Sequence, residues 1–167
     1  MFAAGDYISY GRNGVCLVEG VTEMFAPGSK QKKSYYVLKP VYGANSTIYC
    51  PVEVGKGLSR RPILTRDEAG ALVSDMKNAD MIEAPDRKSF DEKCKSALAS
   101  GECRAWVSVI KTMYSEMQHR AKMGKKMTAT NEHYLKAALE NLCGELAVAL
   151  ERGKEEMEGL VKEVFTV

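Results

Sequence analysis

The stretch that decides the fold is FAAGDYISYGRNGVCLV, residues 2–18 of the 167-residue chain. Strand-forming residues alternate with polar ones on both sides of Asn13-Gly14, a dipeptide that favours tight hairpin turns. The stretch therefore predicts two antiparallel strands and, with them, a small β-sheet at the start of the chain.

Further strands are predicted downstream of this hairpin. A basic loop at 26–33 leads to a β-rich segment at 34–42, and a turn at 43–45 leads to another at 46–52. Pro51 fits only the edge or the end of a strand, because it has no N–H to donate to a neighbour. Four or five short strands in this length predict a small, strongly bent sheet or barrel.

From Thr65 onward the apolar residues recur at helical spacing. Thr65 and Glu68 have the spacing of a capping box, in which each side chain accepts from a main-chain N–H of the other residue. A second helix is expected over 86–99, ended by Ser100-Gly101.

The third helix has the clearest apolar stripe, and two more helices follow it. The fourth is expected to open at 130–132 and to end at 151–153, and the fifth to cover 154–165. The stripe of the third helix consists of Trp106, Val109, Ile110, Met113, Tyr114 and Met117.

The predicted fold class is therefore α+β, with a β domain over 1–58 and an all-α bundle of about five helices over 65–167.

The net charge of +2 conceals regions of opposite charge. Residues 87–126 carry ten basic and four acidic side chains, whereas residues 127–167 carry four basic and eight acidic ones. The basic block suits contact with the phosphate groups of nucleic acid. A solvated helical face is the alternative that charge alone leaves open.

The residue types of common catalytic and metal sites do not cluster in the sequence. The five cysteines are scattered without a C-x-x-C pair, so we expect reduced and mostly buried thiols. His119 and His133 are fourteen positions apart, and no glycine-rich phosphate-binding motif occurs. We therefore expect no metal, no cofactor, no small-molecule substrate and no enzymatic activity.

Two further features bear on location. The longest apolar runs are too short to cross a bilayer, and the N-terminus lacks the basic and apolar segments of a secretory signal. We expect a cytoplasmic protein without a membrane partner.

Several short segments follow one another along the chain in a characteristic order. They are the spaced residues Phe2, Gly5-Asp6, Ile8, Tyr10, Gly14-Val15 and Val18, then 35–38, Pro51-Val52, 58–64, 96–102, 110–114, 124–126 and 142–147. Together they resemble the CarD/CdnL-type bacterial transcription regulators over nearly the whole chain.

The resemblance implies that the β domain is Tudor-like and binds the RNA polymerase β subunit. In this family a sheet edge aligns with a strand of the partner. We expect the open edge either in the strand over 34–39 or in that over 46–51. The residues expected near the contact are Tyr35, Val37, Lys39, Ile48, Tyr49, Cys50 and Pro51.

The resemblance also implies that the helical domain contacts promoter DNA at the upstream edge of the melted region and modulates open-complex stability. Family members place a tryptophan wedge near the start of the second helix, where this chain has Arg87. Its lone Trp106 is expected in the helical core. Phosphate contacts are expected from Arg87, Lys88, Lys93, Lys95, Arg104, Lys122, Lys125 and Lys126.

Two functions of other classes are kept as alternatives. One is a protein-only adaptor without direct DNA contact, in which the charges only confer solubility. The other is a small-molecule enzyme, which would need a pocket with convergent polar groups.

Overall fold

The computed structural model describes residues 1–43, 45–53 and 59–166. Within them the chain forms five strands followed by five α-helices, which confirms the predicted α+β class. The chain divides into two compact units, Met1–Ile63 and Leu64–Val167. The predicted domain end at residue 58, the start of the predicted 58–64 segment and the middle of the turn at 43–45 lie outside the described residues.

The N-terminal unit is one antiparallel sheet with the strand order β4-β3-β2-β1-β5. A single 3-10 turn, Gly11–Asn13, joins the first two strands, and Gly14 follows it with φ at 68°. The predicted hairpin is therefore confirmed, whereas the last, three-residue strand had no sequence signal. The strands are β1 (Tyr7–Tyr10), β2 (Val15–Phe25), β3 (Lys32–Pro40), β4 (Ile48–Pro51) and β5 (Arg60–Pro62).

One face of this sheet forms its own small core. Side chains alternate between the two faces of a strand, and the alternation brings Ile8, Val18, Leu38 and Cys50 together, each at most 1% exposed. A register shift between Val18 and Gly20 marks a bulge in β2, which bends the strand.

The C-terminal unit is all helical, and its first helix begins as predicted. The Thr65 side chain accepts from the Glu68 N–H at 3.1 Å, and the Thr65 N–H donates to Glu68 Oε1 at 3.0 Å, which completes the capping box. The helices are α1 (Arg66–Asp75), α2 (Arg87–Ala99), α3 (Cys103–Lys122), α4 (Ala129–Leu150) and α5 (Lys154–Thr166).

The start of α4 differs slightly from the predicted opening at 130–132. The helix begins at Ala129, because the Thr128 side chain accepts from the Asn131 N–H and caps it. It ends at Leu150, where Glu151 adopts the left-handed conformation with φ at 54°. This end agrees with the predicted end at 151–153, although an ordinary residue, Glu151, takes the conformation that glycine usually provides.

The helical core is built on the predicted stripe of α3. Trp106 is 2% exposed and its indole N–H donates to the Leu98 carbonyl, which confirms its expected core position. Glu145 of α4 is fully buried, and its Oε2 accepts from the Leu64 N–H at 3.0 Å. The carboxylate therefore fixes the first residue of the helical unit to α4.

No helix within the described residues is long and apolar enough to cross a membrane. Over the same residues, no group of three or more histidine, cysteine, aspartate or glutamate side chains is placed to hold a metal ion.

Candidate functional site

The strand β4 forms one edge of the sheet. Strand β3 has β2 on one side and β4 on the other, so the predicted open edge over 34–39 is wrong. The edge predicted over 46–51 coincides with β4, along which no further strand pairs within the described part of the chain. The sequence left this choice open because it does not give the order of strands in a sheet.

The main chain of Tyr49 points out of the sheet at this edge. The Val52 N–H donates to the Ser34 carbonyl at 3.0 Å, which makes these two residues a hydrogen-bonded pair. Hydrogen-bonded and non-hydrogen-bonded pairs alternate in an antiparallel ladder. In this register Val37 and Tyr49 are a non-hydrogen-bonded pair, so the N–H and C=O of Tyr49 face away from β3.

The other predicted contact residues divide by exposure. Tyr49 is 47% exposed, Lys39 is exposed, and Val37, Ile48 and Pro51 are half-buried. Tyr35 and Cys50 are buried, at 7% and 0% exposure. The main-chain groups of Cys50 also face β3, so this residue positions the edge strand rather than presenting atoms to a partner.

Arg60, which sequence reasoning did not single out, braces the end of the edge strand. Its guanidinium donates to the carbonyls of Pro51 and Val52 and lies 3.2 Å from the Cys50 sulfur. It also lies over the Tyr36 ring, 5.3 Å from the centroid. Arg60 belongs to β5, which is the other edge strand of the sheet. These bonds therefore show that the sheet bends until its two edge strands, β4 and β5, come together.

The described sheet matches a known domain family. Residues 2–60 match the model of the CarD-like/TRCF RID domain, and the match runs from before β1 to the first residue of β5. Residues 2–60 form a CarD-like/TRCF RID domain. The RID domain is an RNA polymerase-interacting domain, so the predicted class of partner is supported at this level. No curated protein matches the chain.

The basic candidates lie outside the RID domain, and those on α2 do not share one face. Lys88 and Lys95 are seven residues apart and lie on the same side, whereas Lys93 is turned about 140° from Lys88. All three are exposed. The Lys93 ammonium donates to the Glu83 carbonyl, which holds it against the chain that precedes α2.

Arg87, which stands about where the resemblance led us to expect the wedge, is engaged within the helical unit. Its Nη2 donates to Asn131 Oδ1 at 2.8 Å and lies 3.0 Å from Asp91. The guanidinium also lies 5.2 Å from the Phe90 ring centroid. A phosphate would therefore compete with an internal carboxylate for this side chain.

Arg104 and the Lys122–Lys126 loop lie at opposite ends of α3, roughly 27 Å apart by the helical rise. Arg104 lies 3.5 Å from Asp75. The pKa of Asp75 is lowered, first by a hydrogen bond from Asn78 and then by Arg104.

The Lys122–Lys126 loop is the part of the basic set with the most exposed charge. Its main chain is fixed, because the Lys125 N–H and the Arg120 guanidinium both bond across the turn, at 2.9 and 2.7 Å. Lys122, Lys125 and Lys126 are all exposed. The loop leads into α4, whose Asn131 contacts Arg87, so these candidates lie at one end of the helical unit.

Burial has the largest effect on the acidity of three of the five thiols. All five cysteines are free and buried. Burial raises the pKa of Cys16 and Cys94 to about 11 and that of Cys143 to about 12. Thiols of this kind act as small apolar side chains.

Proposed function

We propose that the chain is a non-enzymatic bacterial transcription regulator that binds the RNA polymerase β subunit and promoter DNA. The RID domain binds the β subunit by strand addition along β4. The helical unit contacts DNA near the upstream edge of the melted region and modulates open-complex stability. The protein acts in the cytoplasm.

The observation that carries the proposal is the open edge at Tyr49. Its N–H and C=O face outward, and its side chain is 47% exposed beside them. A partner strand would satisfy these groups and extend the sheet, which is the recognition mode of β-augmentation. Arg60 limits the open segment, because it already occupies the carbonyls of Pro51 and Val52.

The DNA contact is supported by the exposed lysines of the Lys122–Lys126 loop, with Lys88 at the same end of the unit. Lysines in such a loop bind phosphate without reading bases. The protein then favours promoter melting only if it binds the open complex more tightly than the closed complex. The change in the free energy of melting equals the difference between the two binding free energies.

Two substitutions of one residue test the polymerase contact. Tyr49→Pro removes the outward N–H but leaves the hydrogen-bonded pairs between β3 and β4 in place, so we expect affinity for purified RNA polymerase to fall at least about tenfold. Tyr49→Val keeps the N–H and is the matched control, expected to stay within about threefold of the parent. Equal affinities of all three proteins, measured by biolayer interferometry, would contradict strand addition at this edge.

A protein-only adaptor is the alternative, favoured by the internal partners of Arg87, Lys93 and Arg104. It predicts that the chain leaves no footprint on promoter DNA bound to polymerase. Protection upstream of the melted region that disappears in a Lys122, Lys125 and Lys126 triple glutamine variant would exclude it.

A further inference from the structure

A groove of about 560 Å³ opens on the helical unit, and none of the residues assigned to DNA line it. On α1 it is lined by Arg66, Gly70 and Val73, which are spaced i, i+4, i+7 and therefore form one stripe. This stripe spans two helical turns.

A second stripe of the same length lines the groove from α5. Glu156, Gly159, Leu160 and Glu163 have the spacing i, i+3, i+4, i+7. Leu160 is 37% exposed although it is a large apolar residue. The end of α4 completes the lining.

Both stripes contain a glycine where the structure has room for a side chain. A Cβ built at Gly70 or Gly159 would meet no atom within 4 Å. Glycine destabilises the interior of a helix relative to alanine, and neither position has the positive φ that would require it. Two glycines that serve no internal packing keep this groove wide.

The walls of the groove carry opposite charge. Arg66 stands on the α1 side, and Glu156 and Glu163 stand on the α5 side. Arg66 lies 3.7 Å from Glu151, but both side chains are more than 70% exposed, so the pair is weak and open to exchange. Arg152 pairs with Glu156 at 2.8 Å and leaves Glu163 on the acidic wall.

We infer that this groove binds an amphipathic helix of a partner protein. The apolar stripe of that helix lies over Val73 and Leu160, its acidic flank faces Arg66, and its basic flank faces Glu163. Two turns of groove and an opening lined by glycines match the recognition mode in which a helix lies in a groove. Two arginines and two glutamates line the groove, so it has no net positive charge that would attract nucleic acid.

Designed peptides of about fifteen residues test the inference directly. Each carries leucines along one stripe. The mixed peptide has glutamates on one flank and lysines on the other. The two comparison peptides have either lysines on both flanks (the all-lysine peptide) or glutamates on both flanks. We expect the mixed peptide to bind the full chain at least about tenfold tighter than either comparison peptide, as measured by fluorescence anisotropy.

Reversing one wall gives a sharper test of the charge assignment. In Arg66→Glu both walls are acidic, so preference should move from the mixed peptide to the all-lysine peptide. Unchanged preference would overturn the assignment.

Filling the groove tests its location, with a neighbouring residue as control. Gly70→Leu places a side chain in the groove, whereas Ala71→Leu places the same side chain on the exposed surface about 100° away. We expect at least about tenfold weaker peptide binding for Gly70→Leu and no change for Ala71→Leu. Equal effects would overturn the inference, as would a dimer of the free chain that Gly70→Leu dissociates, because a second copy would then be the occupant. This test does not involve β4, so it fails or succeeds separately from the polymerase proposal.

Discussion

The RID domain and the helical unit expose different kinds of atoms for binding. The RID domain offers main-chain groups at Tyr49, whose direction follows from the register of β3 and β4. The helical unit offers charged side chains, and several of these already bond within the unit, as Arg87 does with Asn131. Strand order therefore defines a binding edge closely, whereas a count of basic residues overstates the charge that is available to a partner.

The cores of the two units are expected to be destabilised independently of each other. Leu38 and Leu142 are both fully buried, the first in the sheet and the second in α4. Alanine at either position should lower the free energy of unfolding by about 2–5 kcal/mol, because it removes apolar contacts and leaves a cavity. Only Leu38→Ala should also weaken polymerase binding.

Chemical denaturation and biolayer interferometry on the two variants check this prediction. An equal loss of polymerase affinity in Leu142→Ala, at a temperature where that variant is folded, would show that the binding edge depends on the helical core.

The thiols should distinguish folded from unfolded chains in both units. Because burial raises the pKa of Cys16 to about 11, the thiolate fraction at pH 8 should be about a hundredfold lower than in the unfolded chain. The raised pKa stabilises the folded state by its full amount below about pH 9, where the thiol is protonated in both the folded and the unfolded chain. This contribution to stability is lost as the pH rises toward 11.

Labelling with iodoacetamide at pH 8, read by mass spectrometry, measures the difference for each cysteine. We expect slow labelling of Cys16, Cys94 and Cys143 in the native protein and fast labelling in urea. Fast native labelling of Cys16 alone would show that the RID domain opens independently.

The half-buried Arg60 brace should stabilise the edge strand. Arg60→Ala removes charged hydrogen bonds to the carbonyls of Pro51 and Val52, so we expect a loss of about 2 kcal/mol in stability. Polymerase affinity should fall with it, because β4 loses its hold on β5. The exposed Lys33→Ala is the control for loss of a positive charge, and similar behaviour of the two variants would refute the brace.

The smallest effects are expected at the single side chains that we propose contact DNA. Lys125→Gln should reduce the slope of log affinity against log salt by about 0.9, the value for one phosphate contact. Arg87→Gln should change the slope less, because the guanidinium is partly neutralised by Asp91. Anisotropy titrations of duplex DNA at several salt concentrations would give both slopes, and a larger change for Arg87→Gln would reverse this ranking.

Local signals in the sequence were sufficient for much of the fold. The Asn13-Gly14 turn, the Thr65 cap and the stripe through Trp106 each rest on residues close in sequence, and all three are confirmed. The end of α4 was predicted only to within 151–153, because Glu151 carries no sequence signal for its left-handed conformation.

The candidate sites were harder to predict because they depend on contacts between distant residues. The Arg60 brace joins the two edge strands of the sheet, Arg87 bonds to Asn131 of α4, and Arg104 lies beside Asp75 at the end of α1. No periodicity reports such contacts. The family match covers residues 2–60 alone, so the DNA-contacting residues stay a prediction.

The most direct test of the account is the lifetime of the open complex formed by cognate RNA polymerase on a ribosomal RNA-type promoter. The parent chain, Tyr49→Pro and the Lys122, Lys125 and Lys126 triple glutamine variant would be compared at equal concentration. The account predicts that the parent changes the lifetime, that Tyr49→Pro loses the effect together with polymerase binding, and that the triple variant loses the effect while it still binds polymerase. A parent chain that binds polymerase and leaves the lifetime unchanged would contradict the account.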